Sequence, residues 1–177
     1  EWDWQIIYPY SVVQDESGVM VYYSGGADRF NNWQGGLAIY DGTSWTINQT
    51  FSGGRRVELA CAPSDANYVY AAVEDESPAT STHDMLGIYR TTNQGSSWSA
   101  RTFPNMIDAS GDHYTRAQAW YDQIMIIHPT NRENVFVGGI DLHESIDGAG
   151  SWTGISHWYG GYNEPEVHAD QHAMAFR

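Results

Sequence analysis

The sequence predicts an all-β chain made of about three copies of one four-stranded unit. Three observations lead there. Charged residues are only 17% of the 177, aromatics are 14%, and there are 18 Gly, 8 Trp and 12 Tyr, a balance that suits strands and tight turns. A turn string recurs: Tyr89-Arg90-Thr91-Thr92-Asn93-Gln94-Gly95-Ser96-Ser97-Trp98 returns as His143-Glu144-Ser145-Ile146-Asp147-Gly148-Ala149-Gly150-Ser151-Trp152, and in shorter form as Tyr40-Asp41-Gly42-Thr43-Ser44-Trp45. Trp45, Trp98 and Trp152 lie 53 and 54 positions apart, and near-even spacing is the mark of a structural repeat.

The units are taken in order. In the first, residues 1–54, Ser11–Gln14 and Val19–Ser24 pair about Asp15-Glu16-Ser17-Gly18, Gly35–Tyr40 is a third strand and Ser44–Asn48 a fourth. In the second, 55–104, the apolar run Val57–Ala62 meets a Pro63-Ser64-Asp65 turn and Tyr68–Val73 follows. An acidic, Ser/Thr-rich insertion, Glu74–Met85, reads as an exposed loop before the strand that enters the Asn93 hairpin. In the third, 105–160, Gln123–His128 and Val135–Gly139 repeat the pattern: Pro63–Ala71 aligns with Pro129–Val137 and Leu86–Trp98 with Ile140–Trp152, both without a gap. In each hairpin Asn or Asp accepts backbone N–H groups, Gly takes the positive φ and the Trp anchors the turn in a core. Asn93, Gly95, Trp98, Asp147, Gly150 and Trp152 are the structural set.

Four short antiparallel strands per roughly 50 residues make the blade of a β-propeller. Residues 161–177 open a further unit, in which Ala173–Arg177 matches the strand that precedes the blade-opening Pro. Three blades do not close a ring. The sequence therefore reads as part of a larger propeller, starting at Glu1 and stopping inside a blade, with the remaining blades supplied by the same chain or another.

The hairpin string resembles the Asp-box, or BNR repeat, of sialidases, sortilin-type receptors and some propeller glycosidases. The strings Glu58–Asp65, Gly87–Thr92, Gln118–Asp122, Val137–Asp141 and Val167–Ala173 together resemble the secreted sortilin/Vps10-like propellers of Bacteroidota. That likeness spans roughly residues 55–177. It implies a secreted or cell-surface propeller of a family that commonly carries a signal for type IX secretion, which this sequence lacks. Tyr8–Val13, Val21–Gly26 and Gly36–Ala38 also resemble blades of five-bladed glycosidase propellers.

Charge removes other classes. A net charge of −14 argues against nucleic acid and anionic membranes as partners, since both need a cationic surface. No apolar run is long enough to span a membrane. Cys61 is the only cysteine and sits in an apolar strand, so it reads as a small buried hydrophobe. A sialidase would need an arginine cluster, and the chain holds 8 Lys and Arg in all, with Arg55-Arg56 the only adjacent pair.

The candidate chemistry lies late in the chain. On a strand, His168, Asp170 and His172 share one face and could hold a divalent cation; hydrogen bonding to neighbouring loops is the plainer reading. Glu74-Asp75-Glu76 suits calcium on paper, and a solvated loop equally well. Asp122 and Asp141 sit where channel-lining strands begin and end, so with Asp170 they could form the paired acids of glycoside cleavage. The competing reading has Asp122 and Asp141 holding turns. Trp120, Tyr121, Trp158 and Tyr159 form an aromatic loop set of the kind that stacks sugar rings.

The sequence thus points to a secreted or surface propeller segment that binds a glycan or an extracellular protein. The alternatives are a glycoside hydrolase and a structural subunit of a surface assembly.

Overall fold

The computed structural model describes residues 7–15, 18–26, 33–40, 43–75 and 83–177, with the backbone alone for 7–40 and 45–48. The described residues form three four-stranded antiparallel sheets, each with its strands in chain order. The first holds β1 (Ile7–Asp15), β2 (Gly18–Gly26), β3 (Trp33–Tyr40) and β4 (Trp45–Phe51). The second holds β5 (Gly54–Cys61), β6 (Val69–Asp75), β7 (Met85–Thr91) and β8 (Ser99–Arg101). A short helix, α1 (Ala119–Asp122), leads into the third, with β9 (Ile124–Ile127), β10 (Val135–Gly138), β11 (Leu142–Ser145) and β12 (Thr153–Gly154). These meanders are the blades that the repeat predicts. Pro9 lies on the edge strand β1, at a register shift between Pro9 and Ser11, where its missing N–H breaks no interior ladder.

Strand alternation explains the layering. On β6, Val69, Ala71 and Val73 point to one face, where Phe51, Val57 and Leu59 complete a cluster. Tyr70 and Ala72 point to the other, joining Ile88, Tyr114, Met125, Ile127, Val135 and Val137. The middle sheet is therefore covered on both faces, and β6 is buried along its length apart from half-buried Asp75. Each fully buried Val or Ile of this kind contributes roughly 1.5–3 kcal/mol.

The two complete hairpins use the same bonds. Thr91 Oγ1 accepts the Gly95 N–H at 2.9 Å and Asn93 Oδ1 accepts the Ser97 N–H at 2.9 Å. Ser145 Oγ accepts the Ala149 N–H at 2.9 Å, and Asp147 Oδ1 accepts those of Gly150 and Ser151, each at 2.9 Å. This gathering of donors holds the Asp147 carboxyl far below the usual carboxylate range, the Ser151 hydroxyl and N–H first among them. The Trp98 and Trp152 rings are half-buried. Trp98 meets Phe51 edge-on at 5.5 Å, and Trp152 Nε1 donates to Thr102 O at 3.0 Å. The third copy of the string falls partly outside the described residues.

Four expectations need correction. The left-handed pair of the third-blade hairpin is Gly148 (φ 69°) and Ala149 (φ 63°), matching Gln94 (φ 57°) and Gly95 (φ 85°). Gly150 therefore does not take the glycine role. Ala149 does, fully buried between blades, while a Cβ on Gly148 would strike the Arg90–Glu133 ion pair. Glu74 is not in an exposed loop. It is 1% exposed at the end of β6, accepting the Arg56 N–H at 3.2 Å and bonded to His83 Nδ1 at 2.9 Å; this engages it away from any calcium role. Residues 76–82 of the insertion lie outside the described residues. Residues 173–177 form no strand, and among the described residues no ladder partner pairs with them. Cys61 is half-buried rather than fully so, and burial pushes its thiol up to about 11, which keeps it un-ionised.

Candidate functional site

The site lies where α1, the end of β10 and the chain after β12 meet. Helical spacing puts Ala119 and Asp122 inside and turns Trp120 and Tyr121 outward. Arg56, on β5, fastens α1 to the middle blade. Its Nη1 donates to Ala119 O at 3.3 Å and its Nη2 to Gln123 O at 2.8 Å, and Glu58 lies 3.5 Å away. Gly139 allows the next close approach: a Cβ there would sit 2.9 Å from Tyr114 O. The Ile140 N–H donates to that same oxygen at 2.9 Å, and the Gln171 N–H donates to Gly139 O at 3.0 Å.

These contacts frame an open cleft of about 330 Å³, lined by Arg116, Gln118, Ile140, Trp158, Ala169 and Asp170. Its walls carry unusual backbone. Arg116 (φ 44°), Ala117 (φ 62°) and Asp170 (φ 67°) are all left-handed without being glycine, a strain that is kept where the surroundings impose it and that concentrates at functional sites.

Asp122 is the exceptional group. It is 0% exposed, and among the described residues no other group hydrogen-bonds to either carboxylate oxygen. Burial, and then the negative charge of Asp170, push it up to about 7, against the pull of Arg56. The two carboxylates therefore interact, one inside the wall and one on the cleft surface. Gln123 Oε1 and Tyr114 Oη are also buried without partners, and burial, with Asp122 next, raises the Tyr114 phenol beyond its usual range.

Asp141 has a different task. It is 0% exposed, its Oδ1 accepts the Trp158 N–H at 2.9 Å, and its Oδ2 lies 3.7 Å from His157 Nε2. Burial raises its pKa. His157 Nδ1 donates to Tyr159 O at 2.7 Å, and its ring lies 4.2 Å from that of Tyr162 and 4.5 Å from that of Tyr159. Asp141 thus holds the aromatic loop, as the turn-holding reading has it, and is set apart from the Asp122–Asp170 pair. Trp120 (54%), Tyr121 (43%), Trp158 (40%) and Tyr159 (41%) are all exposed. Of the four, Trp158 lines the cleft itself.

The shared face of His168, Asp170 and His172 is not formed. No strand runs through 168–172, and the left-handed Asp170 breaks the alternation that the metal reading needs. His168 bonds to Ala169 O at 2.8 Å, while the His172 ring packs on Tyr121 at 4.6 Å. Among the described residues no group of three or more His, Cys, Asp or Glu could hold a metal ion. Sequence reasoning missed Arg116, Gln118 and Ala169 as lining, since loop residues carry no periodicity. The Gln118–Asp122 and Val167–Ala173 strings were the only signal near them.

No protein-family model matches the sequence, and no curated protein matches it. Solved structures do match. A GH74 xyloglucanase from Xanthomonas campestris aligns with TM-score 0.51 and 17% identity over 81% of this chain and 21% of its own. A GH74 enzyme from Niastella koreensis aligns with TM-score 0.52 and 17% identity over 82% and 23%. An α-L-arabinanase from Penicillium chrysogenum, complexed with arabinobiose, aligns with TM-score 0.51 and 13% identity over 92% and 47%. These are β-propeller proteins, and the likeness establishes the propeller fold. The chain spans less than half the length of each.

Proposed function

We propose that the chain is a carbohydrate-binding segment of a secreted or cell-surface β-propeller, with the Asp170 cleft as its sugar site. The observation that carries the reading is the pairing of Asp170, on the cleft, with Asp122, buried and unpartnered behind it. Carboxylates accept sugar hydroxyls, and the Trp158 indole offers a flat wall for the C–H face of a ring. The cleft volume is at the lower end of the roughly 300–1,000 Å³ common for ligand pockets, which suits one or two sugar units. The hairpins on Asn93 and Asp147, with the order of the sequence strings, support a sortilin-like Asp-box propeller completed by further blades. Extracellular placement rests on the same resemblance; among the described residues no helix is long and apolar enough to cross a membrane.

A second reading, a glycoside hydrolase, is favoured by Asp122 alone. A carboxyl pushed up to about 7 keeps its proton near neutral pH, and this reading requires the wall to open so that Asp122, unexposed in this structure, comes within hydrogen-bond reach of a leaving oxygen. One experiment separates the readings. Affinity electrophoresis in xyloglucan and calorimetry with arabinobiose are run on wild type, Trp158→Ala and Asp122→Asn, with reducing-sugar release followed in parallel. A binding module loses affinity in Trp158→Ala and releases no sugar in any form. A hydrolase releases sugar as wild type and stops in Asp122→Asn while still binding. Wild-type affinity retained in Trp158→Ala refutes the cleft as the sugar site.

A further inference from the structure

The cleft's charge makes a choice among sugars, and we infer that it accepts uncharged glycans and rejects those carrying uronic or sialic acid carboxylates. This rests on the sugar-site reading above. A ligand carboxylate needs a cation free to receive it, preferably an arginine fork. Among the described residues Arg116 is the only cationic side chain on the lining, and it is already engaged. Its Nε donates to Asp112 Oδ2 at 3.0 Å and its Nη2 lies 3.5 Å from Asp108 Oδ2. Arg56, the cation nearest Asp122 in effect, spends its guanidinium on Ala119 O, Gln123 O and Glu58 behind the wall.

What faces the cleft instead is acidic. Asp170 lines it and carries the repulsion, while Asp122, buried behind it and pushed up to about 7, adds negative charge only as it ionises above that pH. The molecule adds a net charge of −14, a field that slows the approach of anions. A sugar hydroxyl donates to Asp170 at no such cost, while a second carboxylate meets like charge in a partly dry site. Specificity of this kind comes from a repulsive element as much as from an attractive one.

The test is a binding panel at low and high salt. It sets xyloglucan and arabinan against polygalacturonate and a sialylated glycoprotein, using wild type, Asp170→Asn and Asp108→Asn. Wild type is expected to bind a neutral polymer and to hold the acidic ones roughly tenfold or more weaker at low salt, with the gap narrowing as salt screens the charge. Asp170→Asn removes the repelling group, and Asp108→Asn frees the Nη2 edge of Arg116 while Asp112 still holds its Nε, so each should raise affinity for the acidic polymers, the second by less. Should Asp170→Asn also lose its neutral ligand, Asp108→Asn still reads out the charge effect. Equal wild-type binding of acidic and neutral polymers overturns the inference while leaving the sugar site standing. Binding to neither class overturns the sugar site itself, and the inference with it.

Discussion

Replacing Asp122 by Asn should stabilise the protein above neutral pH and reshape its pH profile. The native carboxyl is pushed from 3.8 up to about 7, by burial first and by Asp170 second. In the unfolded chain it titrates near its ordinary value. Between about pH 4 and about pH 7 the native state therefore holds a proton that the unfolded state has released, so this group's contribution to stability falls as pH rises through that window and is flat above it. Each pH unit is worth about 1.36 kcal/mol, so ionisation removes ~4 kcal/mol once the window is crossed. Asn never ionises, but its amide inherits the unpartnered place at a cost of about 1–3 kcal/mol. The absolute gain at pH 8 is thus ~1–3 kcal/mol. The change in the gap between pH 5 and pH 8 is free of that cost and should be about 2–3 kcal/mol. His143, whose pKa burial lowers to about 4, gives an opposite slope as pH falls, but it is present in both proteins and cancels. Urea denaturation of wild type and variant at pH 5, 6, 7 and 8 measures the gap directly. A gap constant across that range to within about 0.5 kcal/mol, the usual limit for an uncoupled surface change, would refute the buried, unpartnered carboxyl.

The Asp147 hairpin predicts an asymmetry between two substitutions. At neutral pH Asp147→Asn should cost less than Asp147→Ala, because Asn93 already performs the same acceptor role in the middle blade and only the charge of the carboxylate is given up. Asp147→Ala should cost about 0.5–1.5 kcal/mol, since the turn N–H groups that lose their acceptor are exposed and water can take them, and thermal melts of the pair check this. The same carboxyl is held below its ordinary range, so its stabilisation is present above about pH 4 and is lost as pH falls below it; the Asn form should lack that acid-side loss. Gly139→Ala tests the close approach under the cleft. Its Cβ would meet Tyr114 O at 2.9 Å and Thr115 Cα at 3.1 Å, backbone atoms that cannot swing away. A loss of about 1–3 kcal/mol is expected in denaturant titration, and an unchanged midpoint would mean that the two segments are not held together.

The propeller was legible because its signals are local and repeated. Turn donors and acceptors sit at fixed offsets, and apolar residues alternate on strands such as β6, so a worn hairpin copy still aligns. Single positions inside the repeat were not so legible. Gly150 looked like the turn glycine, yet Ala149 holds that conformation, and Gly148 before it must be bare to clear the Arg90–Glu133 pair that joins the two blades. Glu74 looked like loop because the run after it is acidic, yet His83 and the Arg56 N–H pull it inside. Both errors have one cause: a contact from a distant part of the chain decides the residue's place.

The same cause governs the site. Asp122, Asp141 and Asp170 had equal standing as sequence candidates, grouped by the place of Asp122 and Asp141 at the ends of channel-lining strands and, for Asp170, by alternation with its histidines. The fold sorts them by what reaches each one. Asp141 meets the Trp158 N–H and becomes a loop holder. Asp170 loses its strand to a left-handed turn and reaches the cleft wall. Asp122 is carried inward by one turn of helix and meets no donor. Burial without a side-chain partner costs stability, and the pull of its own backbone N–H and of Arg56 only partly offsets that cost. On the sugar-site proposal, a group kept under such terms beside a second acid and an exposed tryptophan serves a ligand in the cleft rather than the stability of the propeller.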